Sequence, residues 1–141
     1  MSVTALLVSH DGARWLPAVL AGLIGQTLPV DRVVAVDTTS RDDSVELVRG
    51  ALAAGPGAAG LDRLVVDVVH GSTSYPAAVR RGLELAPAAG PDEWVWLLHD
   101  DSNPAPTALA ELLAAAREHP DAAILGPKLR EWPSLRRLLE V

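Results

Sequence analysis

Five apolar runs of strand length, separated by helix-spaced segments, limit this chain to a narrow set of folds. The runs are Val3–Val8, Asp31–Val36, Leu64–Val69, Trp94–Leu98 and the short Ala122–Leu125. They show little polar–apolar alternation, the pattern of strands buried on both faces in a mostly parallel sheet flanked by helices. Between them, Trp15 to Ile24 carries apolar residues at helical spacing, with Pro17 in the first turn, where a missing N–H costs least. A second helix is expected from the neighbourhood of Asp42 and Asp43 to about Ala54, a third from Ser74 through Ala86, and a fourth from Pro106 to Glu118. The result is an α/β protein, a three-layer α/β/α sandwich. Gly55–Gly60 reads as a flexible connector.

Right-handed crossovers place the turns after parallel strands along one carboxyl edge of the sheet, where open sheets bind ligands. Ser9–Gly12, Asp37–Ser40, His70–Ser74 and His99–Asn103 are therefore expected on a common rim. The domain is expected over residues 1–126. Residues 127–141, with Leu135, Leu138 and Leu139 at helical spacing and no stop signal after them, read as the start of a further region of a longer protein.

Composition narrows the function classes. At 141 residues the chain is long enough for one domain with its own core. A net charge of -6 argues against non-specific nucleic-acid binding, and the lack of cysteine excludes a disulfide framework and a thiolate metal site. No apolar run reaches the length of a membrane span and no signal peptide precedes the first strand, so a cytoplasmic location is expected. Dinucleotide-binding and P-loop glycine patterns are absent, as is a Gly-x-Ser-x-Gly elbow.

The chemistry lies in the turns. Asp100 and Asp101 end the apolar run Trp94–Leu98, after His99. A divalent cation shared with a diphosphate needs only one or two protein carboxylates, because phosphate oxygens and water complete its shell. Strand alternation turns at most one of the pair straight into the crevice and leaves the other to shape the turn. His99 is either a strand-end histidine bonded to backbone or a contact for phosphate or metal; Mn²⁺ accepts imidazole more readily than Mg²⁺. Asp37 can accept from a base N–H or ribose hydroxyls, or cap the next helix in competition with Ser40 and Asp42. Ser9, His10 and Asp11 can flank a nucleoside, and Arg80 or Arg81 can reach a diphosphate. Trp15, Trp94 and Trp96 read as packing residues.

These motifs resemble the nucleotide-sugar half of family 2 glycosyltransferases, which have the GT-A, Rossmann-like fold. The matching blocks are Val3–Gly12, Val33–Ser44, Gly71 with Ala78 and Gly82, and Leu97–Pro104. The likeness implies a nucleoside-diphosphate sugar donor, Mg²⁺ or Mn²⁺, and a glycan or lipid-linked acceptor, with inversion at the anomeric carbon. Asp37 resembles the family's base-binding aspartate, with Ser9, Asp11, Ser40 and Asp100 around the donor. The family's Asp-x-Asp metal motif falls on His99-Asp100-Asp101, which makes Asp101 the metal ligand. No residue matches the family's base, so this segment alone is expected to bind donor without efficient transfer. A role in polysaccharide biosynthesis and a position at the cytoplasmic face of a membrane are compatible with the family, as is a homo-oligomer. The alternatives are a nucleotidyltransferase and a non-catalytic regulatory or donor-sensing module.

Overall fold

The computed structural model describes residues 1–54, 64–87, 90–131 and 133–139. The predicted connector Gly55–Gly60 lies outside them. Four parallel strands form the sheet: β1 (Ser2–Ser9), β2 (Arg32–Asp37), β3 (Leu64–Val68) and β4 (Glu93–His99), in the order β3-β2-β1-β4. Helices α1 (Leu16–Ile24), α2 (Ser44–Ala54), α3 (Tyr75–Leu85) and α4 (Ala108–Glu118) alternate with the strands. Each of these eight elements falls within a few residues of its predicted span, and Pro17 does occupy the first turn of α1. The α/β/α reading of the sequence holds.

The odd-numbered residues of β1 point to one side of the sheet. Ala5 and Leu7 pack there with Leu16, Val19, Leu20 and Leu23 of α1 and Val48 of α2. Val3 joins Leu109 and Leu113 of α4 on the same side, with Trp94 packed against this group and Trp96 against both. Leu6 and Val8 point the other way, toward Ala78 of α3. A Cβ on Gly82 would sit 2.7 Å from a Leu6 methyl, so that glycine sets how closely α3 lies on the sheet. Buried Gln26 ties α1 to the entrance of α4, donating to the Gly22 and Ala105 carbonyls and accepting from Leu109 N–H.

Because α3 covers β1 and β2, the α3 side of edge strand β4 is left open. Val95 and Leu97 are 39% and 49% exposed there. The strand order reverses direction between β1 and β4, the position at which open α/β sheets leave a crevice beyond their carboxyl ends.

Two expectations fail. Ala122–Leu125 is not a strand, and Ile124 is 90% exposed; an apolar run of that length becomes a strand only where a sheet edge receives it. Leu135, Leu138 and Leu139 do not continue a helix. Leu129–Arg130 (β5) and Leu138–Leu139 (β6) form a short antiparallel pair, and Leu135 has a left-handed backbone in the turn between them. Trp15 is also more exposed than expected, at 41%, with the Arg14 guanidinium 4.4 Å over its ring.

Candidate functional site: a stapled first turn and an open histidine–aspartate corner

Strand register fixes which turns meet. Ser9 is paired with Asp37 and Val8 with His99, so the carboxyl ends of β2, β1 and β4 stand side by side. Neighbouring strands lie about 4.8 Å apart, which brings the turns after them into side-chain reach of one another.

The turn after β1 is held by its neighbours at four successive amides. His10 N–H donates to Asp100 Oδ2 at 2.7 Å, Asp11 N–H to Ser40 Oγ at 2.9 Å, Gly12 N–H to Ser44 Oγ at 2.9 Å and Ala13 N–H to Asp42 Oδ2 at 2.9 Å. In return Asp11 Oδ1 accepts from Arg41 N–H at 2.7 Å. A Cβ on Gly12 would lie 2.7 Å from the Asp100 carboxyl carbon, so only glycine lets that carboxylate approach.

The turn after β2 is braced from within. Asp37, 3% exposed, accepts from Ser40 N–H through Oδ1 at 2.7 Å and from Ser40 Oγ through Oδ2 at 2.6 Å. Asp42 accepts from the N–H and hydroxyl of Ser44, and the Ser44 hydroxyl is the main reason its carboxyl lies below the usual aspartate range. Thr39 takes a left-handed backbone, φ 58°, rare for a β-branched residue and costing about 1–3 kcal/mol. Its hydroxyl donates to the Val69 carbonyl, which ties this turn to the one after β3.

Between the first three turns lies a cleft of about 450 Å³, lined by His10, Asp11, Thr39, Arg41, His70, Gly71 and Ser72. His10 Nδ1 is held there by Thr38, 3.1 Å from its carbonyl and 2.9 Å from its hydroxyl.

On the other side of β1 the rim is open. His99 Nδ1 lies 2.9 Å from Asp100 Oδ1 and 2.9 Å from Asp101 Oδ1. The side chains of His99 and Asp101 are 50% and 64% exposed, whereas that of Asp100 is 6% exposed. One donor atom from each of the three residues lies within 4.8 Å of the others. Tyr75, at the start of α3, sets its ring 5.4 Å from the His99 imidazole, tilted by 38°. Partial burial pushes the Tyr75 phenol above its ordinary value, so it stays protonated at neutral pH.

The predicted site residues therefore separate. Asp11 lines the cleft, while Asp101 stands at the open corner. Asp37, Ser40 and Asp100 have side-chain atoms engaged in building the turns, and Asp37 neither lines the cleft nor caps α2. Ser9 Oγ is buried and has no hydrogen-bond partner among the described residues. Arg81 is turned away from a diphosphate role: its Nε donates to Asp67 at 2.6 Å, its Nη1 to Glu84 at 3.3 Å, and Asp67 raises its pKa further. The backbone-bonded alternative for His99 gives way to an imidazole facing two carboxylates. Sequence reasoning missed Thr39 and Arg41 as cleft residues, although Thr39 sits in the turn it placed on the rim and Arg41 follows it directly. It also missed Tyr75, whose one signal was an aromatic residue opening a helix at that edge.

Residues 4–137 match the family model for Glycosyl transferase family 2. The chain belongs to that family. Its GT-A fold is shared with crystal structures of S. aureus TarS 1-349. One has a TM-score of 0.65 at 20% identity, covering 84% of this chain and 33% of that one. The same protein in complex with UDP-GlcNAc matches with a TM-score of 0.67 at 20% identity, over 84% of this chain and 32% of that one. Its complex with UDP matches with a TM-score of 0.66 at 20% identity, over 84% and 33%. The chain thus spans about a third of the length of these structures. Among curated proteins, none matches it. No described helix is long and apolar enough to cross a membrane.

Proposed function

We propose that this chain is the donor-binding part of an inverting glycosyltransferase and takes a nucleoside-diphosphate sugar. In this reading the nucleoside enters the cleft lined by His10, Asp11, Thr39 and Arg41. The diphosphate lies across the end of β1 toward His99 and Asp101, and the acceptor is a glycan or lipid-linked hydroxyl.

One observation carries the reading. In dinucleotide-binding sheets the amides of the first turn cradle phosphate. Here the N–H groups of His10, Asp11, Gly12 and Ala13 are all taken by side chains of other turns. The first turn offers no anion nest, so diphosphate charge must be balanced elsewhere on the rim. The same occupancy weighs against the nucleotidyltransferase alternative, which needs that turn for a triphosphate.

The corner after β4 has a donor set suited to a divalent cation such as Mg²⁺ or Mn²⁺: carboxylate oxygens of Asp100 and Asp101 and an imidazole nitrogen, drawn close together. Asp101 would hold the cation, helped by Asp100 Oδ1, the oxygen that faces His99. Bound there, the cation would supply Lewis-acid stabilisation of the departing diphosphate. The protein's own contribution is positional. Asp100 fixes the first turn against the corner, Asp37 and Ser40 hold Thr39 in its left-handed form, and Thr38 orients the His10 ring at the cleft mouth. Glu131 lies in the turn between β5 and β6, where it accepts from Ser134 Oγ at 3.3 Å, and among the described residues no contact links it to the rim.

Calorimetric titration with UDP, with and without Mn²⁺, tests the proposal. UDP should bind, more tightly with the metal, and Asp101→Ala should erase the difference. Absence of heat with UDP and also with GDP, CDP and dTDP would reject the donor site in favour of a regulatory module.

A further inference from the structure

We infer that His99 is itself a metal ligand, and that it tunes the site toward cations that accept imidazole, Mn²⁺ and above all Co²⁺ and Zn²⁺, over Mg²⁺. This inference rests on the donor-site reading above and concerns which ion that site selects.

The geometry supports direct ligation. An octahedral ion with metal–ligand distances of about 2.1 Å has neighbouring ligands about 3.0 Å apart. His99 Nδ1 is 2.9 Å from Asp100 Oδ1 and 2.9 Å from Asp101 Oδ1, the spacing of adjoining corners of such a shell. The contact has two readings by tautomer. With the proton on Nδ1, the imidazole donates to the two carboxylates. With the proton on Nε2, Nδ1 presents a lone pair on a face it shares with the two carboxylates, whose donor atoms all lie within 4.8 Å of one another.

The surroundings hold that face in place. Asp100 Oδ2 is fixed by His10 N–H at 2.7 Å, which leaves Oδ1 directed at His99. The Tyr75 ring, 5.4 Å away, limits how the imidazole can swing. Ser102 Oγ bonds the His99 amide and carbonyl, at 3.2 and 2.6 Å, closing the backbone around the corner.

The consequence for selectivity follows from ligand softness. Mg²⁺ favours all-oxygen shells, whereas imidazole suits the later first-row ions in the order Mn²⁺, Co²⁺ and beyond. A carboxylate in place of His99 would remove that bias.

Two measurements decide the matter. In the first, UDP binding is titrated calorimetrically with Mg²⁺, Mn²⁺ or Co²⁺, for the native chain and for His99→Asp. Co²⁺ should strengthen binding at least about tenfold more than Mg²⁺ in the native chain, and His99→Asp should bring the ratio close to one. An unchanged ratio in the variant overturns the inference while leaving the donor site standing. UDP binding with none of the three ions overturns the donor reading instead. The second measurement uses the native protein, so it does not depend on how the variant folds. With ¹⁵N-labelled histidine, added Zn²⁺ should shift the His99 Nδ1 resonance and leave Nε2 protonated. A His99 signal that ignores Zn²⁺ overturns the inference outright.

Discussion

In the turn after β1, Ser40, Asp42, Ser44 and Asp100 each accept from one backbone amide; one strand away, His99 and Asp101 face each other and the solvent. Both regions are built from short acidic and hydroxyl residues, yet their acids do opposite work. Where a carboxylate is buried and receives an amide, one oxygen fixes backbone and only the other is left for a ligand. Where it is exposed and paired with a side chain that can change partners, it remains available for one. Adjacent Asp100 and Asp101 make the contrast sharpest, since alternation along the strand end sends one inward and the other out.

That contrast can be broken first by substituting the two neighbours. Asp100→Ala should lower unfolding stability by about 2–3 kcal/mol, because it leaves a part-buried amide without its charged acceptor. Asp101→Ala should stay within about 0.5 kcal/mol of the native chain while removing metal-dependent UDP binding. Urea denaturation of both variants checks the difference, and equal losses would show that the two acids are not divided in this way. Next in size, Gly12→Ala should cost about 1–3 kcal/mol, since its Cβ would crowd the Asp100 carboxyl. It should also weaken UDP binding, whereas Gly82→Ala, crowding Leu6 beneath α3, should cost a similar amount of stability and leave UDP binding intact in the folded fraction.

A smaller effect is expected from pH. Asp42 has its folded-state pKa depressed, chiefly by the Ser44 hydroxyl, so its contribution is fully present above the ordinary aspartate range. It is lost as pH falls through the lowered folded value. Asp42→Asn should therefore be less stable than the native chain at pH 7, and the gap in urea midpoints should close in strong acid. A gap that persisted there would mean that shape, not charge, holds Ala13 and Ser44. The smallest effect belongs to Arg81→Ala. Its ion pairs are exposed and screened by solvent, so the urea midpoint should barely move and UDP affinity should not change; a clear loss of affinity would restore Arg81 to the donor site.

The sheet and its four covering helices were legible because each signal is local. The continuous apolar runs of β1 and β2, Pro17 at the head of α1, and the polar turns between elements can all be read without knowing any partner. Ala122–Leu125 could not be judged that way, since a strand exists only where another strand's edge accepts it. The leucines at 135, 138 and 139 fit a helix by spacing, but a left-handed residue in their midst folds the segment back. At the site, the rim turns could be anticipated, and so could the division of labour between two adjacent aspartates. Which aspartate went inward could not, because the choice depends on a bond from His10 to Asp100 across 90 positions of sequence. The bond between Asp37 and Ser40 was hidden for a related reason: the two were read as competitors for one cap, and the fold makes them partners.

The row of bonded amides from His10 to Ala13 has one more implication. Surface loops ordinarily trade their amide hydrogens with the medium rapidly, yet these four are shielded by fixed acceptors. Placed in deuterated buffer, this stretch should resist labelling like the interior of a strand.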